Sequence, residues 1–89
     1  MANHESALKR ARQSEIRRVR NLGYKTRVKH AVKEVRTAIA NNSNDQAKQN
    51  LVRAVSIIQK TSSKGIIHRK KASRKISRLA RQVNRLSAS

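Results

Sequence analysis

Apolar residues recur at intervals of three and four along most of the chain, which is the spacing of one face of an α-helix. Two polar breaks interrupt this pattern, NNSND at residues 41–45 and TSSKG at residues 61–65. They predict three helices of unequal length, at about residues 6–41, 45–62 and 67–86. Three amphipathic helices joined by short loops bury their apolar faces together, so we predict an all-α fold. The expected architecture is an antiparallel three-helix bundle with a long first helix that projects beyond the bundle.

Both breaks contain residues that are typical of helix ends. Ser43 and Gln46 have the spacing of a capping box, and Asp45 suits the first turn of a helix. Gly65 can adopt the left-handed conformation that ends a helix. These signals support a second helix at about residues 45–62, with Ser43 before it and Gly65 after it.

Each predicted helix carries one apolar stripe, which we assign to the core of the bundle. The stripes consist of Tyr24, Val28, Ala31, Val32, Val35, Ala38 and Ile39 in the first helix, Ala47, Leu51, Ala54, Val55 and Ile58 in the second, and Ala72, Ile76, Leu79, Val83 and Leu86 in the third.

The front of the first helix does not continue its stripe. With about 100° per residue, Leu8, Val19 and Leu22 lie nearly opposite the later apolar residues. The first helix would also reach about 54 Å, against about 30 Å for each partner. We therefore divide the single domain, residues 1–89, into a basic N-terminal helical extension (1–22) and the three-helix bundle (23–86). The extension alone is a marginal helix, so we expect it to be mobile in isolation and ordered on a partner.

The charge of the chain indicates which kind of partner it binds. There are 23 Lys and Arg residues against 4 Asp and Glu residues, a formal net charge of +19. Such self-repulsion destabilises a compact chain unless a polyanion neutralises it. Residues 1–37 hold eleven basic and three acidic residues. Residues 38–59 hold two basic residues and one acidic residue, and residues 60–89 hold ten basic residues and no acidic residue. The positive charge therefore lies on the first and third helices, as in nucleic-acid-binding proteins with a basic stripe.

The third helix shows how cations and core can share one element. Arg74, Arg78, Arg81 and Arg85 recur every three or four residues and form a ridge opposite the apolar stripe. Arg binds phosphate oxygens bidentately and Lys acts as a point charge, and both occur here. Base-stacking aromatic residues are missing, because the one aromatic residue, Tyr24, falls on the core stripe. We therefore expect recognition of the backbone of folded RNA or a duplex, with little base readout.

Other function classes find little support. Basic helices that insert into membranes usually carry Trp, Phe or bulky Leu, whereas these apolar faces are rich in Ala and Val and are needed for the bundle. The chain has no Cys, and His4, His30 and His68 are far apart without clustered carboxylates. We expect no enzyme activity, no cofactor and no metal. No apolar run resembles a secretory signal or a membrane span, so we expect an intracellular, soluble protein.

Three stretches carry a family resemblance over nearly the whole chain. MANHESALKRARQSEIRRVRN, YKTRVKHAVKEV and KGIIHRKKASRKISRLARQVNRL resemble, in this order, the family of the twentieth protein of the bacterial small ribosomal subunit. The resemblance implies a three-helix bundle with a long first helix, which binds small-subunit ribosomal RNA in the cytoplasm. It implies contacts with the 5′ domain and the long penultimate helix of that RNA, with few or no other ribosomal proteins and no membrane. Many members have Asn where this chain has Lys70, so a hydrogen bond from an amide there does not transfer.

Together, charge and resemblance predict an RNA-binding surface on the first and third helices. The candidate residues are Lys9, Arg10, Arg12, Arg17, Arg18, Arg20, Lys25, Arg27, Lys64, His68, Arg69, Lys70, Lys71, Arg74, Lys75, Arg78, Arg81 and Arg85. The alternative is a general nucleic-acid-binding or DNA-compacting basic protein, which composition alone does not separate from the first hypothesis.

Overall fold

The chain folds into three α-helices, as seen in a computed structural model that describes the backbone of residues 2–88 and the side chains of residues 4–86. Helix α1 spans Ala2–Ala40, α2 spans Asn44–Ser63 and α3 spans Arg69–Ala88. No strand occurs within the described backbone. The molecule measures 68 × 22 × 14 Å, because α1 is about twice as long as its partners. The predicted all-α fold with a long, projecting first helix is confirmed.

Gly65 ends α2 as its sequence position predicted. Its φ is +77°, in the left-handed region that glycine adopts without steric strain. The Gly65 N–H donates to the Ser62 carbonyl at 2.9 Å, and the Ile66 N–H donates to the Thr61 carbonyl at 3.2 Å. These two bonds form a Schellman motif, which satisfies the last carbonyls of the helix.

Asn42 ends α1 in the same way, although it is not a glycine. Its φ is +55°, and its N–H donates to the Ile39 carbonyl at 3.0 Å. The Ser43 N–H then donates to the Ala38 carbonyl, also at 3.0 Å. Asn is one of the few residues that tolerates this conformation, so the tight turn between α1 and α2 has a direct sequence cause.

The start of α2 corrects one expectation. Ser43 is the N-cap residue, and Asp45 lies in the first turn as predicted. The predicted capping box of Ser43 and Gln46 is wrong, because the Ser43 side chain makes no capping hydrogen bond. Gln46 instead donates from Nε2 to Oδ1 of Asn50 at 3.2 Å within α2, and Asn50 in turn donates to the Glu34 carbonyl of α1.

The core contains the centre of each predicted stripe. Its ten buried apolar residues are Val28, Ala31, Val35, Ala38, Ala47, Ala54, Ile58, Ala72, Leu79 and Val83. Leu51, Ile76 and Leu86 pack against this core and are only partly buried. Two polar residues that the stripes did not include, Asn50 and Thr61, are also buried.

The helices alternate in direction. Glu34 of α1 pairs with Arg53 of α2 across the short turn, so these two helices run antiparallel. Ile39, near the end of α1, shares a cleft with Gln82 and Leu86, near the end of α3. Helices α1 and α3 therefore point the same way, with α2 antiparallel to both.

The first half of α1 leaves the bundle. Every residue from 4 to 20 is exposed, and the apolar side chains of Leu8, Val19 and Leu22 are 56–57% exposed. The change of apolar face that the sequence shows near residue 22 therefore coincides with the point where α1 meets its partners.

Candidate nucleic-acid interface

All eighteen candidate residues have exposed side chains. They do not form one continuous patch, because the fold distributes them over the extension, the junction near Tyr24 and the outer and lateral faces of α3.

The extension carries six of the candidates on a helix without tertiary support. Arg18 is the only one of the six with an ion pair among the described side chains: its Nη2 lies 2.7 Å from Oε1 of Glu15, and its Nε donates to Oε2 at 3.2 Å. The hydrogen bond from Arg18 lowers the pKa of Glu15 below its usual value. The pair is fully solvated, so it contributes little to stability. The main effect of the ion pair is that Glu15 partly compensates the charge of Arg18, in contrast to the neighbouring cations of the extension.

Tyr24 joins α1 to the loop between α2 and α3. Its half-buried ring has Cζ of Arg27 5.2 Å from its centroid and Nζ of Lys64 5.4 Å from it. Both distances are in the range of cation–π contacts. Two cations of the protein thus lie against this ring, and Tyr24 is only half-buried although the sequence assigned it to the core stripe. Arg27 and Lys64 are thereby held together although they are far apart in sequence.

The outer face of α3 presents the arginine ridge (Arg74, Arg78, Arg81 and Arg85). All four side chains are exposed, whereas Leu79, between them in sequence, is 2% exposed. The helix thus binds the bundle with one face and presents cations on the other. The segment Lys64–Leu86 can carry its dense positive charge because the apolar face of α3 packs on the bundle while the cations on the opposite face are exposed.

His68 has a structural role that the sequence did not reveal. It precedes α3, and its Nδ1 accepts the backbone N–H of Lys70 at 3.1 Å. Its carbonyl accepts the N–H of Ala72 at 3.0 Å, the first bond of the helix. His68 is therefore the N-cap residue of α3, and for this reason the helix begins at Arg69 rather than at the predicted residue 67.

A groove between α1 and α3 unites cations that the sequence did not connect. We call it the basic groove; its volume is about 910 Å³. The cations that line it are Lys25, Lys29, Lys33 and Arg36 of α1 and Lys71 and Lys75 of α3. Only Lys25, Lys71 and Lys75 were among the candidates.

Sequence reasoning missed Lys29, Lys33 and Arg36. Together with Lys25 they recur at intervals of four, four and three residues, the same helical spacing as the arginine ridge. This signal was available, but it runs beside the core stripe of α1 rather than opposite to it. Its importance comes from α3, which places Lys71 and Lys75 across the groove.

Helix α2 contributes little to these basic surfaces. Its Arg53 pairs with Glu34, with Nη1 3.7 Å from Oε2, and Asn50 donates from Nδ2 to the Glu34 carbonyl at 3.3 Å. The exposed ion pair compensates the charge of Arg53, and the hydrogen bond from Asn50 joins α2 to α1. The nearly neutral middle segment is thus the packing partner of the two basic helices.

Two further observations concern metal ligands and membrane-spanning helices. Across the side chains that the structure describes, no three His, Asp or Glu residues come together as metal ligands. In the same part of the chain, no helix combines the length and apolarity that a membrane crossing requires.

Comparison with known proteins connects this geometry to one family. The family model described as "Ribosomal protein S20" matches residues 2–84. The small ribosomal subunit protein bS20 of Desulfovibrio desulfuricans is 57% identical over 88 residues, covering 99% of this chain and 99% of the relative. The protein of the same name from Syntrophobacter fumaroxidans is 54% identical over 86 residues, covering 97% of this chain and all of the relative.

Proposed function

The chain belongs to the ribosomal protein S20 family, and on this premise we propose that it is a structural component of the bacterial small ribosomal subunit. In this role it binds small-subunit ribosomal RNA directly and bridges RNA helices through phosphate contacts, in the ribosomes of the cytoplasm. Family membership confirms the resemblance found in the sequence. It also confirms that the chain is not an enzyme, since the family consists of ribosomal proteins.

The proposal that the protein bridges RNA helices rests on the separation of its basic surfaces. The extension, the arginine ridge and the basic groove lie on different parts of a molecule 68 Å long. A protein that bound one duplex along one face would need only one such surface. Several surfaces facing different directions suit a protein that holds separate RNA segments at fixed positions, because phosphate contacts fix orientation without reading sequence.

We propose the 5′ domain and the penultimate helix of the RNA as the two bound segments. This assignment follows from the resemblance to the family. Its support in the structure is the division of charge between an extension, which reaches away from the bundle, and α3, which stays on it. A thin, solvated helix can enter between RNA helices where the bundle does not fit.

Phosphate contacts, rather than base contacts, explain the composition of the arginine ridge. Its side chains are exposed and recur on one face of a regular helix, an arrangement that suits a line of phosphates. The one aromatic ring near the surface, Tyr24, already contacts Arg27 and Lys64. A DNA-compacting protein could share this chemistry, but family membership favours ribosomal RNA.

The test is the triple variant Arg74→Ala, Arg78→Ala and Arg81→Ala, titrated with folded small-subunit ribosomal RNA at several salt concentrations. Each lost phosphate contact makes the salt dependence shallower by about 0.7–0.9, so the triple variant should lose about 2–3 in slope. The helix should persist, because Ala is a better helix former than Arg.

A matched control removes the same charge from α2. The variant Lys48→Ala, Arg53→Ala and Lys60→Ala has the same net charge as the ridge variant but changes only the nearly neutral helix. It should retain most of the affinity and the salt slope. If both triple variants lose the same slope, net charge alone determines binding and the ridge is not an RNA-binding surface.

A further inference from the structure

The basic groove has an apolar floor as well as cationic walls. Val28, Val32, Ile66 and Ile67 line it together with the aliphatic side of Ala40. Val28 is nearly fully buried, whereas Val32, Ile66 and Ile67 are half-buried and so present part of their surface to the groove. Phosphate contacts need no such floor, since exposed cations on a regular helix, as on the arginine ridge, already suffice.

Lysine side chains from α1 and from α3 flank these apolar residues on two sides. Lys29 and Lys33 stand one helical turn apart on α1, about 6 Å along the axis. Lys71 and Lys75 repeat the same spacing on α3, and all four side chains are exposed. An occupant of the groove therefore meets cations on both sides and aliphatic side chains beneath it.

We propose that the basic groove holds an unstacked nucleotide of the bound RNA, with its base on the apolar floor and its flanking phosphates on the lysines. This inference rests on the proposed function and deepens it, because it adds a base contact to a surface otherwise suited to phosphates. The volume of about 910 Å³ lies within the range of pockets that take small organic ligands.

The composition of the groove selects this occupant. A paired duplex hides the apolar faces of its bases in the stack and offers phosphates, sugars and polar base edges at its surface, which leaves an apolar floor in contact with water. A nucleotide outside the stack combines a flat apolar base with anionic groups on both sides. Every base has a flat apolar face, so aliphatic side chains can bury that face without specific hydrogen bonds.

The first test narrows the groove without altering charge. Val32→Met places a longer side chain over the floor, and Val52→Met makes the same change at a position on α2 that is 71% exposed and outside the groove. We expect Val32→Met to weaken binding of small-subunit ribosomal RNA by about fivefold or more, because the longer side chain takes the place of the base and its apolar contact is lost. The salt slope should remain unchanged, because no phosphate contact is lost. Val52→Met should bind like the original protein.

The outcomes separate this inference from the proposed function. Suppose that Val32→Met binds the RNA with unchanged affinity, while the double variant Lys29→Ala and Lys71→Ala has a shallower salt dependence. The lysines of the groove then bind phosphate, and no base contacts its apolar residues. That result overturns the nucleotide site and leaves the proposed function intact. If the unaltered protein shows no preference for small-subunit ribosomal RNA over DNA of equal length, the proposed function fails, and the nucleotide site fails with it.

A second measurement covers the case in which Val32→Met disturbs the fold. The unaltered chain is irradiated with ultraviolet light in complex with the RNA, digested and analysed by mass spectrometry. We expect a nucleotide adduct on peptides from residues 28–33 or 66–71, because direct ultraviolet cross-links form where a base touches the protein. Adducts confined to the extension and the ridge would overturn the inference. In assembled small subunits, a cross-link from Lys29 or Lys71 to another protein, without a nucleotide adduct, would assign the groove to a protein segment and would also overturn it.

Discussion

The Nδ1 atom of His68 lies 3.1 Å from the backbone nitrogen of Lys70 and accepts its hydrogen bond. A ring nitrogen that accepts carries no proton, so the proton of the neutral imidazole is on Nε2. His68 thus combines two properties that a sequence does not distinguish: it caps α3, and its exposed side chain lines the basic groove.

Two substitutions at His68 separate capping from RNA contact. His68→Ala removes the acceptor and should lower the free energy of unfolding by about 1 kcal/mol, whereas His68→Asn retains a good capping oxygen and should change it little. Denaturant unfolding of both variants measures this difference. The RNA affinity of His68→Asn then decides the role of the ring: a loss supports the predicted RNA contact, and an unchanged affinity shows that His68 acts only as a cap.

The two glycines should respond to alanine with opposite signs. Gly65 has a φ of +77°, and a Cβ at this position would meet no atom within 4 Å. The expected loss for Gly65→Ala, about 1–2 kcal/mol, therefore comes from backbone conformation alone. Gly23 lies inside α1 with equally open surroundings, so Gly23→Ala should increase helix stability by about 0.5–1 kcal/mol. Circular dichroism during thermal unfolding tests both, and a stabilising Gly65→Ala would contradict the Schellman ending of α2.

The sequence predicted the number, order and approximate ends of the helices because each rests on local signals. It placed the apolar stripe of α2 slightly wrongly. The buried positions follow Ala47, Asn50, Ala54, Ile58 and Thr61, so the stripe is rotated away from Leu51 and Val55. Judged by hydrophobicity alone, Leu51 and Val55 would lie at the centre of the buried face of α2, and Asn50 and Thr61 at its edge.

Asn50 and Thr61 can be buried because each of their side chains has a hydrogen-bond partner. Thr61 donates from Oγ1 to the Ile57 carbonyl at 2.7 Å, and Asn50 donates to the Glu34 carbonyl of α1. A buried polar side chain with a partner is tolerated, but the partner of Asn50 lies sixteen residues away and is known only from the fold. The basic groove escaped prediction for the same reason, since Lys33 and Lys71 come together only through helix packing.

Leu79→Ala tests whether α3 docks through its predicted face. Leu79 is 2% exposed and lies in the core between Ala72 and Val83. Removing its side-chain atoms should lower the free energy of unfolding by about 2–5 kcal/mol. The control is Val52→Ala at an exposed site of α2, which should change it by less than about 0.5 kcal/mol. Equal midpoints for the two variants in thermal unfolding would mean that another face of α3 forms the interface.

Removal of residues 2–22 tests whether the extension serves binding rather than folding. All side chains from residue 4 to residue 20 are exposed, so the extension shares no core with the bundle. The shortened chain should therefore unfold with nearly the same midpoint as the complete one. Its affinity for small-subunit ribosomal RNA should fall strongly, because the extension carries six basic and two acidic residues.

Hydrogen exchange on the complete chain gives the mechanism behind that loss. An isolated helix with many like charges opens readily, so amides of residues 4–20 should exchange fast in the free protein. Bound RNA neutralises the charges and orders the helix, and the same amides should then exchange slowly. Residues 28–38, a stretch of α1 that packs on the bundle through Val28, Ala31, Val35 and Ala38, serve as the internal reference and should be protected in both states. Equal protection of the extension with and without RNA would show that it is a stable helix before binding, and its role would then be that of a rigid arm rather than a segment that orders on its partner.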